Sequence, residues 1–331
     1  LARLTRNISA DTAALAYSQL QGMELYYIWL EYGPQTRFTV DLEGADGQAR
    51  RVEIDAVPLS ALSEREGADR LDLSGREARM LNGEIAYLRP GPFYNINART
   101  EAEAYAPDAL AAHTAFIDES FRTFIENGAQ ALILDLRQNP GGDNSWSDPV
   151  VSWFADRPFR FASQFRIRVS DYSTASNQAR IDAAPDGASG TSGILAELYA
   201  TAANGDIVTL ELPCAYPREG QRFEGAVYAL VDRTSYSNAV SVGAIIQDYG
   251  FGEVIGETTT DMTTTLGAME RFTLPRSGIV AGYPKALIIR PNGDVHTHPL
   301  TPDVRLPLPQ IGDEGDGVLE AAIAHVRSQL R

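Results

Sequence analysis

The chain has 331 residues, of which 44% are hydrophobic and 22% charged, enough to bury one large core or two ordinary ones and too average for a disordered or fibrous protein. A formal net charge of −16 without any basic cluster argues against nucleic acid and against an anionic membrane surface, and no apolar run approaches the roughly 20 residues of a membrane helix. The single cysteine, Cys214, excludes an internal disulfide and a multi-cysteine zinc site. Lys285 is the only lysine, and His113, His296, His298 and His325 are the only histidines, so proton acceptors are scarce.

The opening segment lacks the apolar core and cleavage site of a signal peptide, and no initiator methionine precedes it, which leaves export open. Residues 10–30 predict a helix, with Asp11 as candidate cap and Leu15, Leu20, Met23 and Ile28 at mixed helical spacings. Residues 37–57 predict a β-hairpin, in which Phe38, Val40 and Leu42 alternate and residues 44–47 supply the turn. The polar, charged stretch 59–80 reads as a connector. A helix-plus-hairpin region over 1–80 would then precede a larger domain over 81–331.

In that domain, a strand is expected before Pro90 and a strong helix over 107–127, with Ile117, Phe121, Phe124 and Ile125 on one face and Gly128 as its stop. Residues 131–136, an apolar run interrupted only by Asp135, suit a buried parallel strand. A short helix from Pro149 follows, then an Ala-, Gly- and Ser-rich stretch over 175–205 that mixes helix with a mobile loop. Strands are expected at the Ile207 segment and at 226–231, a helix ending at Gly250, a strand around Val254, a β-rich tail from Arg271 and a last helix over 316–330. Strand–helix–strand order predicts an α/β core.

Two loops follow buried strands at their carboxyl ends, where open α/β sheets collect ligands. In the first, Asn139 and Pro140 break the strand, and Gly141–Gly142 can present bare N–H groups to an oxyanion or simply make a turn. In the second, Ser235, Ser237 and Asn238 stand at a strand-to-helix junction. A serine there is either an N-cap or a nucleophile favoured by the helix dipole. Neither loop is a Walker or dinucleotide motif, and the second makes no G-x-S-x-G elbow.

Taken together and in order, "ALILDLRQNPGG", "VYALVDRTSYSNAVSVGAIIQDYG", "EVIGETTT" and "RPNGDVHTHPLTPDVRLP" resemble the catalytic core of the tail-specific, or carboxyl-terminal processing, serine protease family, with features of its tricorn-like branch. The resemblance implies a crotonase-like spiral α/β core and a peptidase acting on a peptide or protein substrate. It implies Ser237 as nucleophile and an oxyanion hole from Gly141, then Gly142, and Asn238. Asp248 matches a family aspartate near the helix end, with a structural role expected. Glu257 would orient a base or pair with an arginine, the second being favoured. No cofactor or metal is implied, and a periplasmic or secreted location and an oligomer are compatible with it.

The sequence departs from the family pattern at the base. Met262 occupies the position of the lysine in the serine–lysine branch, and no histidine lies between Leu1 and Gly83, where the tricorn-like branch would carry one. His296 falls where that branch has a glutamate before the closing Pro-Asp. Three alternatives therefore stand: His296, or second to it His298, is the base; the base belongs to an upstream segment; or the chain is an inactive relative that binds a ligand or peptide. His113, on an apolar helix face, reads as a buried, hydrogen-bonded side chain, and His325 as solvent-exposed. The hairpin at 37–57 and a loop at 171–193 are expected to wall the substrate.

Overall fold

The structure, a computed structural model, describes residues 2–44, 46–58, 61, 72–183, 190–308 and 315–330. It divides into two compact units, Leu1–Asp72 and Leu73–Arg331. The first holds helices α1 (Ala2–Thr5) and α2 (Ala13–Tyr32) and the antiparallel hairpin β1 (Arg37–Glu43) and β2 (Ala49–Asp55). The cap of α2 is Thr12, not Asp11: the Thr12 hydroxyl accepts the Leu15 N–H at 3.1 Å, one turn on, as an N-cap requires. Most of the expected connector lies outside the described residues.

The connector does not extend to residue 80. Strand β3 (Glu77–Leu81) pairs antiparallel with β4 (Ile85–Arg89). The reason is the turn between them, where Asn82 and Gly83 both take positive φ (54° and 80°), the conformation that an Asn-Gly pair adopts at least cost. The remaining helices are α3 (Glu101–Ala104), α4 (Pro107–Glu126), α5 (Asn144–Ser152), α6 (Asp171–Ala183), α7 (Gly190–Ala200), α8 (Asn238–Tyr249) and α9 (Gly317–Gln329). The remaining strands are β5 (Ala131–Asp135), β6 (Gln164–Arg168), β7 (Ile207–Leu210), β8 (Ala226–Val231), β9 (Glu253–Gly256), β10 (Thr265–Thr273), β11 (Val280–Ile289) and β12 (Val304–Arg305).

The main sheet has the order β12-β9-β8-β5-β4-β3 and is parallel except at β3. Its central strands are apolar on both faces. Leu132, Leu134, Ala229 and Val231 pack under α4, α5 and α8 together with Phe121, Trp146 and Ile245, while Ile133, Tyr228 and Leu230 pack against Leu319 and Val326 of α9. This two-sided burial explains the apolar runs, and the expected α/β core is the one observed. A second, antiparallel sheet has the order β10-β11-β6-β7. Among the described residues no helix is long and apolar enough to cross a membrane.

Two local expectations change. The helix expected from Pro149 begins five residues earlier, because the Asp143 carboxylate caps it on the Ser145 N–H at 2.9 Å; Pro149 is carried inside. The segment 171–193, expected as a loop, holds α6 and the start of α7; residues 184–189 lie outside the described residues.

Candidate active site

Strands β5, β8 and β9 are adjacent and parallel, so the loops after them leave the sheet at one edge. The β5 loop is anchored at its root. Arg137, 4% exposed, meets the Asp135 carboxylate at 2.7 Å and the Asp316 carboxylate at 2.7 Å, and the Tyr87 hydroxyl donates to Asp135 at 2.8 Å. Burial, with Asp135 beside it, pushes the Tyr87 phenol well above its ordinary value.

Beyond the anchor, buried Asn139 ties three segments together. Its Nδ2 donates to the Gly91 carbonyl (2.8 Å), its Oδ1 accepts the Gly141 N–H (2.9 Å), and its own carbonyl accepts the Tyr236 N–H (2.9 Å). The next two positions need glycine. At Gly141 (φ 87°) a Cβ would stand 2.6 Å from Asn238 N and 2.7 Å from Ser237 Cβ; at Gly142 (φ 135°) it would stand 2.2 Å from the Phe93 carbonyl oxygen. Gly141 is thus pressed against the β8 loop and Gly142 against Phe93, in the segment after β4.

That loop separates its two serines. Ser235 is buried, donates to the Leu136 carbonyl at 2.8 Å and accepts the Asp232 N–H at 3.0 Å, so its role is to fold the turn. Ser237 occupies the N-cap position of α8 but makes no capping bond; its side chain is exposed. Its backbone (φ 52°, ψ −120°) is in a region that costs a non-glycine residue about 1–3 kcal/mol and persists only where neighbours impose it. One such neighbour is Asp261, 5% exposed, whose Oδ2 accepts the Ser237 N–H at 2.6 Å. Nothing local in the sequence marked Asp261, which stands alone in a run of threonines.

Around Ser237, the Gly141 N–H is committed to Asn139, whereas the N–H groups of Gly142 and Asn238 carry no hydrogen bond among the described residues. The Asn238 side chain is fixed by Ser147 of α5 (Nδ2 to Oγ, 3.0 Å). Met262 is buried and bridges Pro299. Lys285 is not at the site: its Nζ meets Glu270 Oε1 at 2.6 Å in the second sheet.

No histidine hydrogen-bonds Ser237 among the described residues. His296 is exposed, with Nδ1 2.8 Å from Asp294 Oδ1; His298 has Nε2 2.9 Å from Asp294 Oδ2 and Nδ1 3.2 Å from the Pro299 carbonyl. Both sit on a segment strapped to the β9 loop: Thr263 N–H and Oγ1 donate to the His298 carbonyl, each at 3.0 Å, and the Leu300 N–H donates to Thr259 Oγ1, also at 3.0 Å. The hydrogen bonds of the His296 N–H and of both rings hold the Asp294 carboxyl far below its ordinary value.

The other candidates bond to partners other than Ser237 among the described residues. Asp248, eleven residues along α8 and about 16 Å of helix rise away, binds Arg290 and Asn292. Glu257 pairs with Arg233 at 2.8 Å. His113 is buried, Nε2 to the Trp146 carbonyl at 2.9 Å. His325, expected in solvent, is half-buried instead, because its ring packs edge-on against Tyr228 and meets Glu253 at 3.4 Å. Among the described residues no three His, Cys, Asp or Glu side chains form a metal-ligand group.

A search among curated proteins finds no match. Among solved structures, the chain is similar to mature CPAF (TM-score 0.59, 15% identity, 92% of this chain and 69% of that one) and to mature CPAF complexed with lactacystin (TM-score 0.60, 14% identity, 99% and 73%). Identities this low speak for the fold. Residues 95–306, which contain the Gly-Gly turn, Ser237 and the Asp294–His298 segment, match peptidase family S41, and the chain belongs to that family.

Proposed function

We propose that the chain is a serine peptidase that cleaves peptide bonds through an acyl-enzyme on Ser237. The observation that carries this reading is the Ser237 hydroxyl: exposed, without a capping bond, at a helix N-terminus, on a strained backbone held against Gly141. Oγ attacks the scissile carbonyl carbon, and the oxyanion that forms takes hydrogen bonds from the Asn238 and Gly142 N–H groups. Removing one such donor typically costs about 3–4 kcal/mol of transition-state stabilisation. Gly141 serves by its lack of a side chain, since its N–H is engaged with Asn139.

The proton acceptor in this reading is His296. Its Nδ1 faces ionised Asp294 and therefore carries the proton, which leaves Nε2 basic, the arrangement a general base needs. His298 has both ring nitrogens committed. Contact between His296 and Ser237 forms with substrate, as catalytic hydrogen bonds commonly tighten only in the complex. Peptides or proteins are the substrates. A periplasmic or secreted location rests on the family resemblance.

A fluorophosphonate probe tests the reading. We expect labelling that disappears in Ser237→Ala and slows at least about a hundredfold in His296→Ala, in the range of general-base losses. Labelling that persists in Ser237→Ala ends the nucleophile assignment, and unchanged labelling of His296→Ala ends that of the base. The lack of an imidazole on Ser237 favours one second reading, a relative that binds peptides without cleaving them. It predicts peptide binding with no labelling at all.

A further inference from the structure

A cavity of about 470 Å³ adjoins the Gly-Gly turn and takes no part in the chemistry proposed for Ser237; Arg76, Pro92, Asn95, Asn97, Asp108 and Ala112 are among its lining residues. Pro92 is the link. Its neighbour Phe93 pairs with Gly142, donates its N–H to the Gly141 carbonyl at 2.8 Å and accepts the Asp143 N–H at 3.0 Å. Pro92 is thus a wall of the cavity, and Phe93 beside it flanks the turn that abuts Ser237.

Within the cavity wall, Arg76 is a charge without a counterpart. The chain has 44 acidic residues against 28 basic ones, yet no carboxylate pairs with Arg76 among the described residues. Burial, with nothing to offset it, lowers its pKa. The guanidinium lies over the Trp146 ring, 5.7 Å from the centroid, so its plane is steadied while its N–H donors carry no hydrogen bond among the described residues. The other polar groups of the lining do not pair with Arg76 among the described residues. Asp108 stands in the first turn of α4, where the helix's free N–H groups suit a carboxylate, and Asn95 Oδ1 accepts the Asn97 N–H at 3.1 Å. An arginine steadied on Trp146 and without a carboxylate partner among the described residues is a ready bidentate partner for a carboxylate.

We propose that this cavity is a specificity subsite in which Arg76 takes a carboxylate of the bound peptide, either an acidic side chain or a free chain end, a proposal that rests on the peptidase reading of Ser237. The volume suits one side chain or terminus, at the low end of small-ligand sites. Selectivity arises because a neutral group placed there leaves the arginine donors unpaired.

The test uses the full chain carrying Ser237→Ala, so that binding is read without turnover. Three fluorescein-labelled octapeptide pools are titrated by anisotropy: one amidated and free of Asp and Glu, one of the same composition with a free C-terminus, and one amidated with a single Glu. At least one carboxylate pool is expected to bind about tenfold or more tightly than the neutral pool, and the pool that gains identifies the source. Arg76→Gln, and Arg76→Met, which keeps the packing on Trp146, are expected to reduce that difference to within about twofold. Equal binding of all pools, no binding of either carboxylate pool, or a preference that survives both substitutions overturns the proposal. Fluorophosphonate labelling of the native chain separates the two ideas. Labelled Ser237 with no carboxylate preference removes only the subsite; an Arg76-dependent preference without labelling removes only the peptidase.

Discussion

The backbone N–H of Ser237 donates to the carboxylate of Asp261 at 2.6 Å, across 24 residues of sequence. This contact fixes the residue whose φ is positive, at the first turn of α8, so Asp261 acts on the hydroxyl by holding its backbone. Asp261→Ala removes the acceptor and frees the turn to relax. Labelling of Ser237 by a fluorophosphonate is then expected to slow about tenfold or more, the equivalent of about 1.4 kcal/mol. Asp261→Asn retains an acceptor oxygen and should stay within about threefold of the native rate. Equal losses in both variants would mean that the charge, not the hydrogen bond, matters.

Gly141 and Gly250 allow a comparison of two positive-φ glycines. A Cβ at Gly141 would enter Asn238 N, Ser237 Cβ and the Tyr236 carbonyl, all backbone or backbone-proximal atoms that cannot yield separately. At Gly250 (φ 67°) a Cβ meets nothing within 4 Å. Gly141→Ala should therefore abolish labelling of Ser237. Gly250→Ala should cost only about 1 kcal/mol of stability, the backbone cost of a left-handed alanine, and keep labelling within about twofold. Full labelling of Gly141→Ala would show that the glycine turn does not abut the nucleophile.

The only lysine serves the second sheet. Glu270, 5% exposed, accepts from Lys285, Arg180 and Ser176, which joins β10, β11 and α6. Burial works to raise the Glu270 pKa, but these three donors outweigh it and hold the carboxyl at about 2. Glu270→Gln leaves Lys285 buried beside Arg180 without a counter-charge. A loss of about 3 kcal/mol in urea unfolding is expected, typical of breaking a buried ion pair from one side. A loss below about 0.5 kcal/mol, the range of surface substitutions, would show the cluster to be solvated.

How far the sequence reaches is visible in particular elements. Strands β5 and β8 are readable because both faces are covered, which forces apolar runs at Ala131–Leu134 and Ala226–Val231, and α8 is readable because Gly250 ends it. Strand β6 is not: Phe165 and Ile167 alone alternate among polar residues, too short a pattern to register. The family motifs point to Ser237 and the glycine pair, whose closeness is a matter of adjacent parallel strands. Asp261 and Asn139 carry no such signal. Their partners, Ser237 and Tyr236, lie far along the chain, and only the order β9-β8-β5 brings the loops together. The same holds for Asp294, which gathers two histidines that spacing alone could not orient.

Two buried groups under the site should give opposite pH responses. Burial first, and the charge of Arg76 second, depress the His113 pKa from 6.5 to about 4, against the hydrogen bond to the Trp146 carbonyl. Its folded value lies below its unfolded one, so the stability it supports is present above pH 6.5 and is lost as the pH falls toward about 4. Asp148 of α5 behaves in reverse. Burial raises its pKa from 3.8 to about 6, Asn144 opposes this, and the Asp143 charge adds to it. The stability it supports is present below 3.8 and is lost as the pH rises through about 6. In urea titrations, Asp148→Asn should exceed the native chain by about 2 kcal/mol at neutral pH, an advantage that fades toward pH ~4. His113→Phe, which cannot take a proton, should start below the native chain at neutral pH for want of the Trp146 hydrogen bond, and should recover about 2 kcal/mol relative to it as the pH falls to ~4.5. Parallel stability curves for His113→Phe and the native chain would mean that the imidazole reaches water in the folded state.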